Sequence, residues 1–276
     1  MQPGILSSDD KQRFLQDGYV IVPQLLTQTE AGLLKRVARM DRELASDRTS
    51  RADGEGGSVD LVVRNELPEN SVYGAIIRAQ PLVEAMELLL DDEVYHYHHK
   101  MILKEPKVGG AWTWHQDYGY WYNNGCLFPD MGSCMIAVDQ ATRENGCLQV
   151  IRGSHKMGRI DHLQRGDQTG ADEERIAAAL ERLELVHVEL EPGSAVIFHG
   201  NTLHRSDQNV SDNPRWAFIC CYNTRHNDPW KDSKHPRYTH LERWPEKRIA
   251  EIAEQQLMKT TPPADPLNAR RPGAMN

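Results

Sequence analysis

From residue 93 to residue 217 the chain is a succession of short β-branched and aromatic runs divided by turn residues, and this rhythm restricts the fold more than any other feature. The strand candidates are residues 94–103, 133–140, 147–151, 185–190, 194–199 and 216–222. Strands recurring this closely, with few helix-length connections between them, pair antiparallel and close into an all-β sandwich or barrel. Asn145-Gly146 reads as a tight hairpin turn joining two of them, and Glu191-Pro192-Gly193 as a second reversal. One insertion, residues 172–183, is helical in composition and is expected to pack outside the sheets.

The flanks read differently. DDKQRFLQDGYVIVPQLL gives a short helix through Phe14 and Leu15, a turn at Asp17-Gly18 and a strand ended by Pro23. Residues 27–44 have helical spacing, with Leu33, Leu34, Val37 and Met40 as the apolar face. Residues 46–58 are polar and Gly-rich and are expected to be a mobile loop, and 81–90 a helix opened by Pro81 with Leu82, Met86 and Leu89 on one face. The chain is expected to be one domain over residues 1–276. A β core spans about 93–222, with a helical elaboration over 1–92 and an extension over 223–276 whose Pro-rich end, 260–276, is too polar to order alone.

Composition serves here to exclude. A net charge of -8 argues against nucleic acid as partner, because that binding needs clustered Lys and Arg. No apolar stretch is long enough to span a membrane, and MQPGILSSDDKQRF lacks the features of a signal peptide, so a cytoplasmic location is expected. Five cysteines without a C-x-x-C pair suggest neither a disulfide framework nor a thiolate zinc site.

The chemistry centres on Trp114-His115-Gln116-Asp117, followed far downstream by His204 in Gly200-Asn201-Thr202-Leu203-His204. Two ligands two residues apart at a strand end, with a third from a distant strand, can occupy one face of an octahedral metal. Two His and one carboxylate leave open positions, the arrangement of non-haem Fe(II) oxygenases. H-x-D alone is a weak signal. Arg215 strengthens it, because a guanidinium can hold the far carboxylate of a 2-oxoacid whose near end chelates iron. It lies at the start of a strand expected to run beside the one carrying His204.

With these residues in view, the sequence resembles the phytanoyl-CoA dioxygenase family. The similar stretches are FLQDGYVIVPQLL, KEPKVGGAWTWHQD, ATRENGCLQVIRGSHKMG and EPGSAVIFHGNTLHRSDQNVSDNPRWAF, which span most of residues 14–220. The resemblance implies a mainly β protein with flanking α-helices, built on a double-stranded β-helix of the jelly-roll, cupin-like kind. It implies Fe(II) on His115, Asp117 and His204, 2-oxoglutarate on Arg215, and O2 as oxidant. Lys100 and Met135 are further cofactor contacts by the same resemblance, Met135 standing where phytanoyl-CoA hydroxylase has a Trp. Related halogenases lack the carboxylate, so Asp117 favours hydroxylation, with succinate and CO2 as co-products.

Substrate residues are sought among the aromatics that crowd this region. Trp121 matches a substrate-facing Trp of ectoine hydroxylase, Tyr118 is expected in the same pocket, and His98 is expected to point into it beside Lys100. In a regular strand, Tyr95-His96-Tyr97-His98-His99-Lys100 would put His96, His98 and Lys100 on one face. His155 is read as shaping a loop and His199 as packing. The expected function is 2-oxoglutarate-dependent hydroxylation of a small molecule. A jelly-roll protein that binds metal or 2-oxoacid without turnover is the alternative, and a zinc hydrolase using the same ligands ranks last because it leaves Arg215 unexplained.

Overall fold

The computed structural model describes residues 4–53, 57–165 and 167–260, and the expectation for the tail from 261 onward lies outside them. In chain order the elements are α1 (Ser8–Asp17), β1 (Tyr19–Val22), α2 (Gln28–Met40), α3 (Arg42–Ser46), β2 (Thr49–Ala52), β3 (Ser58–Arg64), α4 (Val72–Ile77) and α5 (Gln80–Leu90). Next come β4 (Val94–Lys104), β5 (Trp112–His115), α6 (Asp117–Trp121), β6 (Met131–Ala137), β7 (Leu148–Ile151), β8 (His162–Arg165) and β9 (Gln168–Ala171). The series ends with α7 (Glu173–Leu180), β10 (Leu185–Val188), β11 (Ala195–His199), β12 (His204–Ser206), β13 (Arg215–Thr224) and α8 (Lys247–Thr260).

Two antiparallel sheets face each other. The larger has seven strands in the order β1-β11-β6-β13-β4-β3-β2, the smaller four in the order β10-β7-β12-β5, and β8 pairs with β9 as a separate ribbon. This is the antiparallel sandwich that the strand rhythm predicts, in the jelly-roll form with flanking helices that the family resemblance implies. One apolar cluster fills the space between the helices and the outer face of the large sheet, through Leu34, Ile76, Met86, Ile136 and Phe218. A second lies between the sheets, through Tyr97, Met135, Val150 and Phe198.

The helices begin where their caps are. Ser7 and Asp10 form a reciprocal capping box on α1, and Thr27 and Glu30 do the same on α2, each satisfying backbone N–H groups that a first turn leaves open. Gly18 ends α1 with φ 83, and a Cβ there would lie 2.4 Å from the His155 ring and 2.8 Å from the Thr202 hydroxyl, so the left-handed turn and the close approach both need glycine. The helix expected over 27–44 breaks at Asp41, whose carboxylate accepts from the N–H groups of Glu43 and Leu44 and starts α3. Leu33, Leu34 and Val37 are buried as their spacing required, but Met40 is 40% exposed because the break turns it out of the face.

Other readings are corrected by pairing. Residues 46–58, expected as a mobile loop, contain β2 and lead into β3, which form a hairpin at the edge of the large sheet. Asn145-Gly146 does not join hairpin strands, since β6 belongs to the large sheet and β7 to the small one. Its side chain instead shapes a crossing between sheets, accepting from the Thr142 N–H and donating to the Gln140 carbonyl. The helix expected over 172–183 is α7, with Ile176 and Ala179 buried against Trp114 and Ile151 outside the sheets.

Candidate metal centre

Strand register brings the two histidines together. His115 ends β5 and His204 opens β12, and the antiparallel pairing sets them directly opposite one another, with ring centroids 4.0 Å apart. The chain then turns at Gln116 into α6, so that Asp117 swings over the same spot. Oδ1 of Asp117 lies 3.9 Å from Nε2 of His115 and 4.0 Å from Nε2 of His204. These three buried residues are the group of potential metal ligands found among the described residues, their donor atoms all within 4.8 Å of one another.

The donor set suits a metal in its hydrogen bonding as well. Nδ1 of His115 faces the Thr113 carbonyl at 2.9 Å, and Nδ1 of His204 faces the Thr202 carbonyl at 2.9 Å. A carbonyl only accepts, so each Nδ1 carries the proton and each Nε2 presents a lone pair to the shared space. Burial holds both imidazoles below the usual histidine range, against the opposing pull of Asp117, and therefore neutral. Burial by itself would raise the Asp117 carboxyl, but the Lys100 ammonium and the hydrogen bond from Ser133 outweigh it and hold the group ionised. Neutral nitrogens and an ionised carboxylate are the states in which these residues ligate.

The large sheet supplies the floor of the adjoining cavity through strand alternation. On β13, Arg215, Ala217, Ile219 and Cys221 share the inner face, and their partners across β4 are Lys104, Ile102, Lys100 and His98. On β6 the matching residues are Ala137 for Ala217, Met135 for Ile219 and Ser133 for Cys221. The cavity is lined by Lys100, Met135, Phe198, Ser206, Arg215 and both histidines, with Ile102, Leu148 and Ile219 among its apolar walls. Lys100 Nζ faces Oδ1 of Asp117 at 3.5 Å, which raises the lysine pKa against the opposing effect of burial.

Arg215 is 3% exposed, and burial lowers its pKa to about 10. One of its terminal nitrogens donates to the Gly146 carbonyl at 2.7 Å, while Nε has no partner. A buried guanidinium that lines a cavity and keeps an unused donor is what a carboxylate ligand would complete. Its placement corrects the expectation that β13 runs beside the strand of His204. β13 lies between β6 and β4, and Arg215 reaches the cavity from the sheet opposite β12.

The other expected residues divide. His115, Asp117, His204, Arg215, Lys100 and Met135 converge on one place. Trp121 and His98 pair with each other, Trp121 Nε1 donating to His98 Nε2 at 3.3 Å, and they are absent from the cavity lining. Tyr118 is also absent from the lining: its hydroxyl is shared between the Cys126 and Leu127 carbonyls and its ring is packed in the inner core. His96 leaves the face of His98 and Lys100, because a β-bulge at Tyr97 shifts the register, and it meets His99 at 3.1 Å instead. His155 binds the Leu15 carbonyl at 3.2 Å, tying α1 to the loop before β8.

Three residues escaped the sequence reading. Ser133 Oγ donates to Oδ2 of Asp117 at 2.6 Å. Ser206 lines the cavity, and its signal was present, since it stands two residues after His204 on one strand face. Gln116, between the two ligands, donates to the Gly158 and Asn201 carbonyls at 2.8 Å each and accepts from the Ile160 N–H at 2.7 Å. It thereby fastens the turn carrying His115 and Asp117 to the loop that leads to His204.

Comparison with known proteins adds an independent finding. The family profile described as Phytanoyl-CoA dioxygenase matches residues 14–217. An L-proline trans-4-hydroxylase of Streptomyces griseoviridis is 30% identical, the match covering 80% of this chain and 88% of that protein. An ectoine dioxygenase of Bordetella bronchiseptica is 28% identical over 95% of this chain and 87% of its own. The crystal structure of EctD from S. alaskensis with 2-oxoglutarate and 5-hydroxyectoine superposes with a TM-score of 0.73 at 22% identity, covering 89% of this chain and 90% of that one, and so shares its fold.

Proposed function

Because the chain belongs to the phytanoyl-CoA dioxygenase family, an Fe(II)- and 2-oxoglutarate-dependent dioxygenase family, we propose that it hydroxylates a small molecule at an iron held by His115, Asp117 and His204. The observation that carries this assignment is the convergence of two Nδ1-protonated imidazoles and an ionised carboxylate beside a cavity that ends on Arg215. The relatives named above act on proline and ectoine, which supports a small-molecule substrate. Iron, when bound, supplies the redox chemistry that spends O2 on 2-oxoglutarate and on a substrate C–H bond, leaving succinate, CO2 and an alcohol.

The chain's own residues do the rest. Arg215 and Ser206 hold the distal carboxylate of 2-oxoglutarate, and Met135, Leu148 and Ile219 enclose its methylene carbons. Ile219 and Arg215 are four residues apart on β13, about 13 Å of strand, a span that a short diacid and an arginine side chain fill between them. Lys100 balances the charge of Asp117 and would face the near end of the co-substrate from the cavity lining. Ser133 and Gln116 keep the ligands turned inward. Asp117 would ligate the metal where related halogenases lack a carboxylate, so the reading is hydroxylation.

The whole chain is read as one catalytic domain around the β core. A cytoplasmic setting is supported by five buried cysteines that are all free, and among the described residues no helix is long and apolar enough to cross a membrane.

The test is succinate formation from 2-oxoglutarate with Fe(II), O2 and a panel of amino acids, cyclic amino-acid derivatives and acyl thioesters, scoring products heavier by one oxygen atom. O2-dependent succinate that His115→Ala abolishes is expected. Product formed without O2, or metal binding without turnover across the panel, would overturn the reading in favour of a hydrolase or a binding protein.

A further inference from the structure

Lys104 is a buried cation that the proposed function leaves unused. Its side chain is 0% exposed, and its ammonium finds Ser206 Oγ at 2.9 Å and the Asp207 carbonyl, neither of them anionic. The Asp207 carboxylate is engaged elsewhere, by Gln149 and by Arg205. Across the strand pair Lys104 stands directly opposite Arg215, the other buried cation of this region. Two cations side by side in an interior are costly unless an anion joins them. Burial first, and then Arg215, push the lysine well below its ordinary pKa.

The backbone is shaped to admit this arrangement. Gly146 has φ +76, and a Cβ there would lie 2.3 Å from the Asp207 carbonyl oxygen and 3.0 Å from Lys104 Nζ. The same Gly146 carbonyl receives the Arg215 guanidinium. One turn therefore holds Arg215 and leaves room for Lys104.

The direction of one hydrogen bond then decides the role. An anion bound beside it would restore the ammonium, which has donors and no acceptor, so with the co-substrate in place the bond to Ser206 runs from lysine to hydroxyl. With a lone pair committed to Lys104, Ser206 keeps its own hydrogen for another acceptor, and Ser206 lines the cavity together with Arg215. We propose that Lys104 is a positioning residue for the co-substrate, turning the Ser206 hydroxyl hydrogen toward the distal carboxylate of 2-oxoglutarate and setting a second positive charge behind it. The inference rests on the assignment of Arg215 above. Its consequence is selectivity for 2-oxoacids that carry a distal carboxylate.

The test compares binding of 2-oxoglutarate with binding of 2-oxobutyrate, which lacks the distal carboxylate, to the full-length protein loaded with Ni(II), read by calorimetry and so independent of turnover. Lys104→Met is expected to weaken 2-oxoglutarate about 10- to 30-fold, the size of one charge-assisted hydrogen bond, and to leave 2-oxobutyrate within about twofold, since that ligand offers the hydrogen bond no acceptor. Ser206→Ala should do the same, and the double variant should be no worse than about twice the weaker single, because both remove one interaction.

Equal loss of both oxoacids in Lys104→Met would mean general damage and overturn the proposal. So would effects of Lys104→Met and Ser206→Ala that multiply, or 2-oxoglutarate binding that Lys104→Met leaves unchanged. Should Lys104→Met fail to fold, Lys104→Gln retains a donor to Ser206 and is expected to keep at least part of the selectivity, and its losing all of it while folded would contradict the account. Arg215→Gln separates the two levels. If it binds 2-oxoglutarate as tightly as the unaltered protein, the co-substrate site itself is misassigned, whereas selective loss there with an unaffected Lys104→Met would sink only the role of Lys104.

Discussion

Ser133 Oγ donates to Oδ2 of Asp117 at 2.6 Å, and this one bond leaves Oδ1 as the oxygen that faces both imidazoles. Ser133 sits on β6 in the large sheet while Asp117 follows β5 of the small sheet, so the bond also joins the two layers at the metal position. Ser133→Ala is expected to free the carboxylate to rotate and to weaken Fe(II) binding about 10- to 100-fold, the range seen when groups that orient ligands are removed. Metal titration under anaerobic conditions reads this. Unchanged affinity would show that Asp117 is held by other contacts.

Gln116, itself buried, makes three hydrogen bonds to the backbone on either side of the site. Replacing it by Leu leaves two carbonyls and an N–H without partners, which should cost on the order of 3 kcal/mol of stability. Denaturant unfolding of the metal-free protein measures the loss. A change below about 1 kcal/mol would mean that the turn keeps its shape without the side chain.

Tyr118 offers a contrast between strut and substrate contact. With its hydroxyl spent on the Cys126 and Leu127 carbonyls, Tyr118→Phe should lower stability by about 1 kcal/mol and leave the substrate KM unaltered. A KM that rises several-fold with stability intact would return Tyr118 to the substrate pocket.

Acid should destabilise the metal-free fold. Burial lowers the pKa of His99 to about 4 and that of His199 to about 3, each from an ordinary value near 6.5. The unfolded chain thus binds more protons than the folded one below pH 6.5, and stability falls as pH drops from there toward those folded values. By pH 5 each group contributes a loss of roughly 2 kcal/mol. Denaturant unfolding at pH 7 and pH 5 should show the decline, and His99→Gln should reduce it. Equal stability at the two pH values would contradict the burial of these rings as neutral groups.

Much of this was legible before any coordinates. His115, Asp117, His204 and Arg215 stood out because metal and carboxylate chemistry needs those side chains, and turn residues such as Glu191-Pro192-Gly193 marked strand limits that pairing then respected. What was hidden depends on contacts between distant segments. A bulge at Tyr97 moves His96 to the opposite face, and nothing local in YHYHHK announces it. Thr49–Ala52 is too polar and Gly-flanked to read as a strand, and becomes one because β3 offers it an edge. The spacing of Arg215 after His204 suggests a neighbouring strand, yet the side chain arrives from the facing sheet, since β10 to β13 alternate between the two layers. Lys104 carried no signal of its own until β13 placed Arg215 beside it.

The central claim is that one site binds iron and 2-oxoglutarate together, and anaerobic titration tests it most directly. Adding 2-oxoglutarate to the Fe(II)-loaded protein should raise the weak visible charge-transfer absorption of a chelated 2-oxoacid, saturating at one equivalent. His115→Ala should abolish it, and Arg215→Gln should demand far more ligand to reach it. Absence of that absorption in protein shown to have bound Fe(II) would contradict the account.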